Sequence, residues 1–176
     1  WSHSVTPDRT DLAGEWDGRT LSDRALVLNW QHGTPKVDWF LQAQDLGPEF
    51  RADDGFIPQV GYRELYGQFG YTTRPKDRFF SRVRLFAEGY VDEQQDGTTL
   101  TRHAQVGVGA DGRYASFVRF ELNRDEFRVG SELLQRFRPR VQIDATPSRA
   151  LNNLSLVVAA GDEIDFDNAR RGSGVN

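Results

Sequence analysis

A chain of 176 residues is long enough for one domain, and its lack of cysteine excludes a disulfide framework and a thiolate metal centre. Its formal net charge of −4 argues against general affinity for nucleic acid, which needs a basic surface. No apolar run approaches the roughly 18–20 residues of a membrane helix; the longest, Leu154 to Ala160, is broken by Ser155.

Short segments in which polar and apolar residues alternate predict strands, with a partial one around Leu12–Arg19. Leu26, Leu28 and Trp30 share one face, with Asn29 and Gln31 on the other. After the turn His32-Gly33-Thr34-Pro35, the residues Val37, Trp39, Leu41 and Ala43 alternate with Asp38, Gln42 and Gln44. Gly61 to Thr72 sets Leu65, Phe69 and Tyr71 opposite Glu64, Tyr66 and Gln68. The clearest segment, Phe79 to Val91, has Val83, Leu85, Ala87 and Val91 on one face and Arg82, Arg84 and Glu88 on the other. Leu100, Ala104, Val106 and Val108 then alternate with Thr101, His103 and Gln105. Tyr114, Val118, Phe120 and Leu122 alternate with Arg119, Glu121 and Asn123, and less regular strands follow near Arg138–Ala145 and Leu151–Ala160.

The predicted connections alternate in length. Residues 32–35, 73–77, 110–112 and 146–150 read as tight turns with Gly, Pro or Asp. Longer links fall at 45–60, 92–97 and 124–137, with an open tail from 161. Outer-membrane barrels combine short periplasmic turns with longer outer loops, and only every second residue of their strands meets lipid. The expected fold is therefore all-β, an antiparallel up-and-down meander forming part of an outer-membrane β-barrel, with residues 1–176 as a single segment.

In that reading Asp38, Glu64, Arg82, Arg84, Glu88, His103, Arg119 and Glu121 line the interior. All basic residues but Lys36 and Lys76 are arginine. Arginine suits fixed, bidentate ion-pair networks, and a bias in genomic base composition would give the same count. Trp30, Trp39, Phe40, Tyr62, Tyr71 and Tyr90 sit towards predicted strand ends, as interfacial girdles do. With neither an initiator Met nor a signal-like opening, the chain reads as a stretch of something longer.

Catalytic signals are weak. His103 falls on the polar face, near Arg82 or Arg84 if adjacent strands pair, with Ser81 and Ser116 as the only nearby hydroxyls. No nucleophile elbow, phosphate loop or dinucleotide fingerprint occurs. Glu64, Glu88 and Glu121 could pair as glycosidase carboxylates, but the arginines on the same face make charge-paired wall residues the better account. The acidic group Asp162, Glu163, Asp165 and Asp167 lacks the glycine and closing glutamate of a calcium loop. The residues thus call for no enzyme activity, metal or cofactor.

The stretch from Gln44 through Asp45, Gly47, Pro48, Phe50, Arg51, Asp53, Gly55 and Phe56 to Pro58, followed by Gly61-Tyr62-Arg63-Glu64, is distinctive. It resembles the signature of a bacterial family of unknown function. Members usually carry an N-terminal carbohydrate-binding module of the family-nine type and a long C-terminal domain thought to be an outer-membrane barrel. Leu122-Asn123-Arg124-Asp125, Phe127-Arg128-Val129-Gly130 and Asp165-Phe166-Asp167-Asn168 are similar to further family elements. The resemblance implies a middle section of the barrel domain, without the sugar-binding module. It also implies a lipid bilayer as partner, in the outer membrane of a Gram-negative-type bacterium, with passage or surface handling of a glycan or other solute and other envelope proteins nearby.

Physically, Pro48 ends its strand because it cannot donate to a ladder. Asp45, Asp53 and Asp54 lie near Arg51 and Arg63 for local ion pairs, and Phe50, Phe56 and Ile57 can fold back as a plug. Two other functions fit the same residues: a soluble β-sandwich binding carbohydrate through exposed Trp and Tyr, and a barrel enzyme acting on lipid or polysaccharide.

Overall fold

A computed structural model describes residues 1–11, 17–51, 60–76, 79–148 and 153–175. Those residues are all-β. A small ribbon pairs β1 (Ser2–Val5) with β2 (Thr20–Asp23). The rest is one sheet of nine strands in chain order. They are β3 (Ala25–Gly33), β4 (Val37–Leu46), β5 (Tyr62–Thr73), β6 (Phe80–Gln94), β7 (Thr99–Gly112), β8 (Phe117–Val129), β9 (Glu132–Ala145), β10 (Leu154–Asp165) and β11 (Arg170–Val175). Every neighbouring pair is antiparallel, so the sheet is an up-and-down meander. It is not closed: β3 and β11 are its edges.

The strands outrun the alternation that predicts them. Residues 124–137, expected as a long link, continue β8 to Val129 and begin β9 at Glu132, leaving a turn of Gly130 and Ser131. Beyond Asn123 the side of β8 that was apolar carries Arg124, Glu126 and Arg128 and the other carries Asp125, Phe127 and Val129, so the hydropathy pattern changes side while the ladder continues. Likewise β6 runs to Gln94 before a short turn in which Gly97 has φ +86°. The tail expected from 161 is the second half of β10 with β11. Tyr114, expected to open a strand, sits in the turn before β8 with φ +61°. Of the end expected to carry long loops, only 47–61 is long; its other connections are 95–98, 130–131 and 166–169. Loop length therefore does not separate the two ends. Most of the partial strand expected around 12–19 lies outside the described residues.

Antiparallel register sorts the side chains onto two faces. One is apolar along whole rungs: Val37, Tyr71, Leu85, Val108, Phe120, Val141 and Val158 stand side by side across β4 to β10. The next rung runs through Trp39, Phe69, Ala87, Val106, Leu122 and Pro139. On β6 this face is apolar from Val83 to Val91, about 26 Å along the strand at about 3.3 Å per residue. It ends in charge, at Asp45, Arg63 and Glu93 on β4 to β6 and at Arg102 and Glu126 on β7 and β8.

Nothing among the described residues covers that face. Leu65 is 62% exposed and Leu85 54%, and Leu46 is the one buried large hydrophobic side chain among the described residues. The accessible surface is 11828 Å², against about 8,700 Å² for a compact protein of this mass. This is a single layer rather than two layers around a core.

Candidate functional site

The opposite face is polar, and the register brings all eight interior candidates onto it. Six rungs run from Arg82 and Asp111 at one end to Glu64 and Asp92 at the other. Asp38 shares a rung with Gly70, Phe86, Gly107, Glu121 and Arg140. Arg84 and Arg119 occupy the rung beside it, separated by Gly109.

Ion pairs run within and between strands across this face. Arg84 grips Asp38 with two nitrogens, at 2.5 and 2.7 Å. Arg82 pairs with Asp111. Glu121, only 2% exposed, accepts from Arg140 at 2.8 Å and from Gln105 at 2.9 Å, and lies 2.6 Å from the Arg119 guanidinium. Arg119 also stacks over Phe86, 4.4 Å from the ring centre, a cation–π contact. Phe86 in turn lies over Gly107, where an added Cβ would strike the ring.

His103 does not meet Arg82 or Arg84 as the sequence suggested, because Arg84 falls opposite Gly109, three rungs away. Instead its Nδ1 lies 2.6 Å from Asp125, which also accepts from Arg136 at 2.9 Å. Tyr90 stacks on the imidazole at 5.3 Å, and Glu88 lies 3.9 Å from Nε2. No hydroxyl nucleophile joins this group among the described residues. Ser81 donates to the Asp111 carbonyl near the far end of β6, and Ser116 lies in the turn before β8 rather than on the apolar face.

Several residues of this face were not among the interior candidates: Asp125, Arg136, Arg138 and Arg140, and the carboxyl groups of Asp92 and Asp111. Arg138 pairs with Glu163 at 2.9 Å. Gln105 is 8% exposed. Its amide nitrogen donates to Glu121 and to Asn123 at 2.9 and 2.8 Å, while its Oε1 is buried with no hydrogen-bond partner. The aromatics also divide differently from the expected girdle. Trp30, Trp39 and Tyr71 are on the apolar face, whereas Phe40, Tyr62 and Tyr90 are on the polar one. Trp30, Phe40 and Tyr90 also lie inside their strands rather than at the ends, and side depends on odd or even offset, which places Phe40 opposite Trp39.

The distinctive loop is anchored at both ends. Asp45 lies 3.1 Å from Arg24 and 3.7 Å from Arg63, and accepts from Gln95 at 2.7 Å. Gly47 packs against the Asp23 carboxylate so closely that a Cβ would overlap it. That carboxylate accepts the amides of Arg24 and Glu49, which hold its pKa below the usual range. Gly61, at φ +78°, donates to the Leu46 carbonyl and packs on Pro48. The Phe50 amide donates to Gly47, and the Arg51 amide to Ser2 Oγ at 3.1 Å, tying the loop to the β1–β2 ribbon. Asp53, Asp54, Gly55, Phe56, Ile57 and Pro58, and with them all of the expected plug but Phe50, lie outside the described residues. The acidic group near the end of β10 is dispersed: Glu163 pairs with Arg138, Asp162 accepts from the Phe137 amide and Asp165 from Asn168.

Comparison of the chain with family models, with curated proteins and with solved structures gives no match.

Proposed function

We propose that this chain forms part of the wall of a bacterial outer-membrane β-barrel that passes a solute or handles it at the surface. The observation that carries this reading is the apolar face. Its rungs cross seven strands without a charge at Leu85, and its length along β6 is close to the roughly 25 Å apolar band of such barrels. The charges at Asp45, Arg63 and Glu93 fall where that band would meet headgroups.

The polar face supports the same reading. A barrel interior needs polar side chains that hold one another in place, and the pairs Arg84–Asp38, Arg136–Asp125 and Arg140–Glu121 do so between strands. A β-sandwich would need a second layer over Leu65, Leu85 and Val106, and the described residues supply none.

Circular dichroism of the purified chain with and without micelles tests this, together with quenching of Trp fluorescence by brominated lipid. Trp30 and Trp39 are on the apolar face, so a lipid-dependent β signal with quenched emission is expected. A cooperative fold in plain buffer, with no quenching, would discard the membrane reading.

A further inference from the structure

We infer that the polar face binds a neutral, hydroxyl-rich ligand, an oligosaccharide, along a row of four rings crossing β4 to β7. This deepens the solute-handling reading and rests on it for how the ligand gains access. Tyr66 of β5 and Tyr90 of β6 are direct cross-strand partners. Phe40 of β4 lies 6.0 Å from Tyr66, ring centre to ring centre. Tyr90 stacks on His103 of β7 at an interplanar angle of 26°. With strands about 4.8 Å apart, the row spans about 14 Å, the scale of a short oligosaccharide. Aromatic rings offer flat apolar contact to the C–H faces of sugars, while a few placed polar groups set orientation.

Those polar groups stand on the adjoining rung, where Gln68, Glu88 and Gln105 are in register. Gln105 narrows the ligand class. A buried acceptor without a donor is costly, and the unpartnered Oε1 of Gln105 can be satisfied only by a group that donates. A hydroxyl does so; a carboxylate ion does not. Beyond the ring row, His103 and Gln105 border an open groove of about 540 Å³ that runs over β7 to β10 between Asn123, Asp125 and the paired arginines Arg136, Arg138 and Arg140.

The cations of this face favour a neutral ligand as well. Arg84 is held by Asp38, Arg119 and Arg140 by Glu121, Arg136 by Asp125 and Arg138 by Glu163. Each of these guanidiniums already has a carboxylate beside it, and a neutral ligand leaves every pair intact.

The test is titration of the full chain, folded in a sugar-free detergent, with maltohexaose as neutral probe and oligogalacturonate of equal length as anionic probe. Saturation-transfer NMR reads binding at low and high salt. Maltohexaose is expected to bind saturably and independently of salt. Tyr66→Ala or Tyr90→Ala should weaken it about three- to tenfold, the worth of one aromatic contact. Tyr66→Phe should restore affinity, and Tyr71→Ala, on the other face, should leave it unchanged. Absence of maltohexaose binding to folded protein would overturn the inference. So would affinity indifferent to both alanine variants, or binding confined to oligogalacturonate and lost in salt. Lipid quenching reports separately on the barrel. If the chain folds in buffer without lipid, the same titration is run there, and tyrosine-dependent binding would keep this site while removing the membrane.

Discussion

Arg84 reaches from β6 across the whole of β5 to hold Asp38 on β4, and it can do so because Gly70 lies beneath its guanidinium. A Cβ on Gly70 would overlap the guanidinium carbon. The pair therefore needs a missing side chain on the strand between its partners.

Gly70→Val should break this clasp although it improves the local strand propensity. Both partners keep about a third of their side-chain exposure, so the expected loss is about 1–2 kcal/mol, between surface and buried pairs. Urea denaturation in micelles measures it. Gly33→Val provides the contrast, because a Cβ there meets nothing within 4 Å. Equal losses at the two sites would refute the clasp.

Leu85→Arg puts a charge on the apolar face one rung from its centre. In a bilayer this should cost about 2–3 kcal/mol and block assembly, seen as loss of the heat-modifiable folded band on gels. Asn29→Arg, on the polar face of β3, should assemble normally. Normal insertion of the Leu85 variant would contradict the proposed function.

Glu121 is the most buried charge described and serves two arginines. Glu121→Ala leaves both guanidiniums without their carboxylate and should cost about 3 kcal/mol. Arg140→Ala should cost less, because Glu121 retains Arg119 and Gln105. Chemical denaturation of the two variants side by side should give that order, and the reverse order would show that Arg140 rather than Glu121 organises the group.

Gly130 has φ +61° with open space around its missing Cβ, so conformation alone decides what it tolerates. Gly130→Val should cost about 1–2 kcal/mol, since β-branched residues resist this region, while Gly130→Asn should change little. Thermal unfolding of both variants reports on the β8–β9 turn, and equal midpoints would exclude it.

How much of this was legible depends on where each strand lies. Between Val83 and Val91 one face is apolar and the other polar, so hydropathy shows both the strand and its sides. Beyond Asn123 the charges Arg124, Glu126 and Arg128 move to the side that was apolar, and the pattern that assigns a strand's sides breaks even though Asp125 and Arg136 are bonded between β8 and β9. Gly130-Ser131 was the available signal, since that pair suits a two-residue hairpin, and it would have set the register that opposes Asp125 to Arg136. The partners of His103 were hidden for the same reason. Alternation tells which side a residue takes but not how far two strands are slid along each other.

The two open edges carry one more consequence. Nine strands that reverse at every step leave β3 and β11 pointing the same way. Joined directly, they would meet in a parallel seam with evenly spaced, slanted hydrogen bonds, unlike every other contact in the sheet. One additional strand running the opposite way between them would make the whole circumference antiparallel. The direction of the seam is thus a matter of parity, and cross-linking cysteines introduced at positions 29 and 172 would reveal whether those edges ever come face to face.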